Sequence, residues 1–132
     1  MSEQSRIAVA FVEGLARGAI DDNLVQPDLD FAAGSETRMG LDQLRMMIGF
    51  LARIFPDGLE MTIDSTVEEG DRMALQARSR GVLEDGEIYA NKYHYAMRFR
   101  GGRLAEVHEY MDTDLVNRLL RPKLQALLAG QA

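Results

Sequence analysis

Residues 88–111, IYANKYHYAMRFRGGRLAEVHEYM, decide the fold. Lys92, His94 and Arg98 alternate with Tyr93, Tyr95 and Met97, the period of two that marks a strand with one buried face. Gly101-Gly102 reverses the chain and Arg103 to Met111 resumes the alternation, so the stretch predicts a long hairpin. If Arg100-Gly101-Gly102 is a three-residue loop, Phe99 pairs with Arg103, and Met97, Tyr95 and Tyr93 lie opposite Ala105, Val107 and Glu109. One face then carries Asn91, Tyr93, Tyr95, Met97, Ala105, Val107, Glu109 and Met111, an apolar and aromatic surface with a single acid. The other carries Lys92, His94, Arg98, Glu106, His108 and Tyr110. A two-residue turn shifts the register by one and sends Glu109 outward beside His94 and Arg98. Alternation alone leaves both registers open.

Working outward, Leu59, Met61, Ile63 and Val67 alternate with acids and a threonine, and Met73, Leu75 and Ala77 alternate with Gln76, Arg78 and Arg80. Turns at Glu69-Gly70-Asp71 and Glu84-Asp85-Gly86 join these strands to the last hairpin as an antiparallel meander of four. Upstream the period is helical. Ile7, Ala8, Phe11, Val12 and Leu15 form one stripe between a capping Ser2 and a terminating Gly18. Leu41, Leu44, Ile48, Leu51 and Phe55 form another, ended by Pro56-Asp57-Gly58. Between them lie a short helical turn at Asp21–Val25, ended by Pro27, and a brief strand at Leu29–Ala33. Downstream, Asp112 or Thr113 caps a helix whose leucines run to Leu127, with Pro122 either kinking it or opening a second short helix. The fold class is α+β: N-terminal helices packed on a curved four-stranded meander, closed by a C-terminal helix, in a single domain over 1–132.

The bulk properties exclude several functions. A chain of 132 residues with 46% hydrophobic and 27% charged residues is neither disordered nor fibrous. No apolar run reaches the roughly 20 residues that span a bilayer, and the N-terminus lacks a signal-peptide layout, so a cytoplasmic location is expected. A net charge of −6 argues against nucleic acid as a partner. Without cysteine there is no disulfide, thiolate ligand or Cys nucleophile. His94 and His108, opposite each other on the outer face in the three-residue-loop register, are too few for a metal site, so no metal or cofactor is expected. They fit better in a polar and aromatic patch for homodimer packing, with Arg78, Arg80, Arg98 and Glu106 supplying ion pairs.

Glu109 carries the chemistry. Aimed inward, its carboxyl is buried, which raises its pKa unless a partner stabilises the charge; with a raised pKa and beside a phenol it is suited to general acid–base chemistry. Asp112, by contrast, is explained by helix capping, and the methionines by core filling.

The chain resembles SnoaL-like proteins of the nuclear transport factor 2-like superfamily, relatives of ketosteroid isomerase, polyketide cyclases and limonene epoxide hydrolase. The likeness rests on Phe55-Pro56-Asp57 after the long helix, Glu69-Gly70-Asp71-Arg72 at the first hairpin, and Gly102-Arg103-Leu104 leading to Glu109-Tyr110-Met111-Asp112. It implies a cone-like α+β barrel around a deep apolar pocket, and it favours the inward register. It places Glu109 at the catalytic Asp of SnoaL-type cyclases and epoxide hydrolases, and Tyr95 at the oxyanion-donating acid of ketosteroid isomerase. Met111, Asn91 and Tyr93 fall at pocket-lining positions, and Met97 and Val107 share their face. Phe11 stands where the isomerase has a Tyr donor, and Phe31-Ala32-Ala33-Gly34 holds no base, so steroid isomerisation is not expected. For epoxide hydrolysis an arginine is available on the strand of Gln76, Arg78 and Arg80, but the second acid is missing. The expected function is binding of a small apolar molecule bearing oxygen groups. The expected chemistry is cofactor-independent isomerase, cyclase or hydro-lyase action by proton transfer, with Glu109 as acid or base and Tyr95 stabilising negative charge. The alternative is a non-catalytic ligand-binding or dimerisation module.

Overall fold

The first helix, α1 (Glu3–Arg17), forms because its apolar stripe recurs at helical spacing and both ends are capped. The Ser2 side chain accepts a hydrogen bond from the Ser5 amide, and Gly18 closes the helix in a left-handed conformation (φ 77°). A short 3₁₀ turn (Asp22–Leu24) leads into β1 (Val25–Ala33) and β2 (Thr37–Met39), followed by α2 (Leu41–Ile54). The four long strands β3 (Leu59–Glu69), β4 (Arg72–Val82), β5 (Ile88–Arg100) and β6 (Arg103–Met111) come next. A C-terminal segment runs from α3 (Thr113–Leu115) through a π-helical turn (Val116–Leu120) into α4 (Arg121–Ala129). This computed structural model describes residues 1–34 and 37–130.

Among the described residues the sheet has six strands in the order β2-β1-β6-β5-β4-β3, so the expected meander is extended at one edge by two more. It is curved and open rather than closed into a barrel, with α1 and α2 on its concave side. The strand expected at Leu29–Ala33 begins at Val25 and lies parallel to β6, pairing Phe31 with Val107 and Ala33 with Glu109. Its ladder is interrupted between Val25 and Asp30, the interval that contains Pro27, which has no amide to donate. The three-residue β2 is too short to have shown a period.

The last hairpin corrects the expected register. Gly101-Gly102 is a two-residue turn, both residues at positive φ, with Arg100 opposite Arg103 and Phe99 opposite Leu104. A bulge then leaves Ala105 without a partner and sets Arg98 opposite Glu106, Met97 opposite Val107 and Tyr95 opposite Glu109. The turn moves the faces by one residue and the bulge moves them back. Glu109 therefore points inward, but opposite Tyr95 rather than Tyr93. His94 consequently faces Tyr110, and His108 faces Ala96, so the two histidines are not opposite each other.

Two apolar clusters hold the layers together. The larger joins α1 (Phe11, Val12) to the concave face (Leu75, Tyr95, Leu104). The smaller gathers Ile54, Phe55, Leu83, Tyr89 and Leu120 beneath the C-terminal segment.

Candidate functional site

Between these clusters lies a cavity of about 650 Å³ whose walls draw on both: Phe31, Leu44 and Ile48 from one, Phe55, Tyr89 and Leu120 from the other. The sheet supplies its floor, α2 one wall and the C-terminal segment another. Leu41, Leu44, Ile48 and Leu51 predict the helical face that packs inward, and Leu44, Ile48 and Leu51 reach the cavity.

Glu109 lines it and is half-buried, open to the hollow rather than to the outer surface. Its backbone is held on both sides, by Tyr95 of β5 and Ala33 of β1. The Tyr95 O–H donates to Glu109 Oε2 at 2.6 Å, a charge-assisted bond when the carboxyl is ionised. Burial pushes the Glu109 carboxyl up to about 7, while the Tyr95 bond pulls it the other way. Tyr95 is fully buried, and its phenol is raised well above its ordinary range by burial and by the adjacent Glu109 carboxyl.

A second polar group runs along the same floor, anchored at Asn91. Asn91 Oδ1 accepts from the backbone amides of Lys92 (2.8 Å) and Asp112 (3.1 Å), so its Nδ2 must be the group facing Tyr89 OH at 2.8 Å. Tyr89 OH lies 3.1 Å from Tyr93 OH, and Tyr93 OH 2.8 Å from Ser79 Oγ, two hydroxyl–hydroxyl hydrogen bonds in which either partner can donate. The Tyr93 ring stacks on Tyr95, centroids 5.9 Å apart. Tyr89 and Tyr93 are thus bonded to each other and to Asn91 and Ser79 in one chain. Burial raises both phenols, so neither ionises readily.

Of the residues expected to form the site, Glu109, Tyr95, Tyr93 and Met111 line the cavity. Asn91 does not: it is 4% exposed, and ties β5 to the backbone at Asp112 while orienting Tyr89. Met97, Val107 and Phe11 are buried in the larger cluster, away from the hollow. Gln76, Arg78 and Arg80 are exposed on the outer face, so no arginine from that strand serves the cavity. Among the described residues the arginine that lines the cavity is Arg121, on α4.

Sequence reasoning did not single out Tyr89, Ser79 or the cavity-facing side of the C-terminal segment. Tyr89 could have been found by extending the face of Asn91 and Tyr93 one step back. On the C-terminal segment two rows at four-residue spacing line the cavity: Val116, Leu120, Leu124 and Leu128, and beside them Asn117, Arg121 and Gln125. A step of four overshoots a 3.6-residue turn, whereas the wider π turn at Val116–Leu120 is undershot by it. The π turn cancels part of the drift and keeps both rows on the cavity. Pro122 sits in the first turn of α4 and has no amide to return to the preceding turn, directly after the wide π turn. Asp112 caps the segment, accepting from the amides of Asp114 and Leu115.

On the outer face, His108 Nε2 bonds the Gly34 carbonyl at 2.7 Å and stacks on Tyr110. Arg78 pairs with Asp64, and Arg98 with Glu106, both within the chain. Among the described residues no group of three His, Asp or Glu side chains is placed to hold a metal ion. No helix there is long and apolar enough to cross a membrane.

Comparison with curated protein sequences gives no match. Among solved structures, a candidate SnoaL-like polyketide cyclase from Jannaschia sp. CCS1 is 16% identical, with a TM-score of 0.75 over 87% of this chain and 89% of that one. IdmH, a candidate polyketide cyclase from Streptomyces antibioticus, is 18% identical, with a TM-score of 0.74 over 94% and 99%. An NTF2-like protein of unknown function from Burkholderia pseudomallei K96243 is 19% identical, with a TM-score of 0.75 over 92% and 99%. At these identities the likeness is one of fold. Residues 8–107, ending two positions before Glu109, match the SnoaL-like domain family. The curved sheet, the helices on its concave side and this match together place the chain in the SnoaL-like domain family.

Proposed function

We propose that the cavity binds a small apolar molecule carrying oxygen groups, and that Glu109 moves a proton on it without a cofactor, as an isomerase, cyclase or hydro-lyase does. The observation that carries this is the Glu109–Tyr95 pair: one acid, titrating near neutrality, hydrogen-bonded to a phenol in an apolar hollow. Ionised Glu109 removes a proton from carbon beside a carbonyl; the C–H bond breaks, its electrons pass to the carbonyl oxygen, and an O–H bond forms on Glu109. Once protonated, Glu109 holds the Tyr95 hydroxyl less strongly, which frees that donor for the developing oxyanion. Return of the proton to another atom completes an isomerisation; alternatively the enolate carbon bonds to a second carbonyl carbon, that carbonyl's π electrons pass to its oxygen, and Glu109 gives the proton to this oxygen as the ring closes.

Exchange of α-protons of bound apolar ketones in D₂O, followed by NMR, tests this. The expected rate rises with pH through about 7, the value to which burial lifts Glu109, and falls roughly 100-fold or more in Glu109→Gln. Exchange that Glu109→Gln leaves unchanged would defeat the reading.

A non-catalytic ligand carrier is the second reading. It is favoured by Glu109 being the one carboxylate on the cavity wall among the described residues. For either reading we propose homodimerisation through the outer sheet face, supported by Tyr110, which stands 48% exposed there and stacked on His108.

A further inference from the structure

The cavity has polar groups on two different elements. Glu109 belongs to the sheet; Asn117, Arg121 and Gln125 belong to the C-terminal segment, where they line the same hollow in one row and are exposed at its rim. The basic neighbours of Arg121 are committed elsewhere. Arg118 pairs with Asp114 at 2.9 Å, and Lys123 with Glu84 at 2.8 Å and Asp85 at 2.9 Å. Arg121 has no carboxylate within ion-pair distance among the described residues, and it is the one cation lining the cavity there. In a chain of net charge −6 the overall field repels anions, so a guanidinium left open at a cavity mouth is a local exception. Its planar fork matches a carboxylate bidentately, and amides one helical turn to either side can add donors. One cation matches a monoanion; a phosphate dianion would leave charge uncompensated.

We propose that Arg121, flanked by Asn117 and Gln125, binds a carboxylate on the ligand whose reacting carbon faces Glu109. The substrate class is then an apolar, ring-sized molecule with an anionic carboxylate at the mouth end and a carbonyl at the buried end. This rests on the cavity being the ligand site.

Isothermal titration of the whole chain with 2-naphthylacetate and its neutral analogue 2-naphthylacetamide tests it. The carboxylate is expected to bind about tenfold more tightly at low salt. Arg121→Gln should abolish that preference, while Arg118→Gln, outside the cavity lining, should retain it. Arg121 is exposed, so the variant should melt like the parent. Equal binding of the two compounds by the parent, or a preference that survives Arg121→Gln, overturns this inference and leaves the Glu109 chemistry standing. Tighter binding of 2-naphthyl phosphate than of the carboxylate overturns the monoanion assignment. If neither naphthyl compound binds at millimolar concentration, this inference and the cavity reading both fail. Loss of proton exchange in Glu109→Gln, and loss of the carboxylate preference in Arg121→Gln, support the two proposals separately.

Discussion

Glu109 sits at a position where the fold works against its charge. Burial lifts its carboxyl from an ordinary 4.5 to about 7, so between those values the folded chain holds a proton that the unfolded chain releases. Stability therefore falls as pH climbs through that window, and the penalty is complete above about pH 7. Glu109→Gln removes it while keeping an oxygen for Tyr95 to donate to. Denaturant titrations should show the variant more stable by on the order of 2–3 kcal/mol at pH 8 and little changed at pH 4. An equal gain at both pH values would contradict the assignment. Tyr95→Phe keeps the ring but deletes the donor that holds Glu109 down, so the carboxyl should titrate higher still. Infrared difference spectra of its C=O stretch would follow the shift, and an unchanged or lowered midpoint would count against the pairing. The acid itself was legible in the sequence as the one charge on an apolar face. Its partner was not placed correctly, because a two-residue turn and a bulge at Ala105 cancel in facing but not in pairing.

At the scale of elements, α1 and α2 offer paired tests of what a helix tolerates. Gly14 lies near the end of α1, where the chain folds back and the Ala19 amide bonds the Gly14 carbonyl. A Cβ there would lie 2.4 Å from the Ala19 carbonyl oxygen, a backbone atom that cannot easily retreat. Gly49, inside α2, has nothing within 4 Å of its would-be Cβ. Thermal melts should therefore diverge. Gly49→Ala should stabilise by up to about 1 kcal/mol through helix propensity. Gly14→Ala should lose about 1–3 kcal/mol despite the same propensity gain. A stabilising Gly14→Ala would show that the reversal after α1 is looser than described. The helices and the meander strands were readable because each repeats its period several times. The parallel pairing of β1 with β6 and the three residues of β2 were not, since strand partnership across the chain leaves no local signal.

At the scale of the molecule, association through the outer face predicts that sedimentation velocity at tens of micromolar finds a dimer, and that Tyr110→Glu converts it to a monomer of unchanged melting temperature. A monomeric parent would end that proposal. The Arg98–Glu106 and Arg78–Asp64 pairs already close within one chain and are about half exposed, so their removal should alter association little. The cavity belongs to this scale alone. By itself the sequence determined which residues alternate, which stripes are apolar, where turns and caps fall, and hence that helices must cover one face of an antiparallel meander. Those are local periodicities, fixed by the geometry of 3.6 and 2 residues per repeat. Only the tertiary structure decided that Glu109 meets Tyr95, that Asn91 is locked into backbone rather than lining the hollow, and that Arg121 stands at its rim. Each of these depends on where a bulge, a wide helical turn and a distant strand edge bring side chains together, and such proximity is set by packing between elements rather than by the repeat within any one of them.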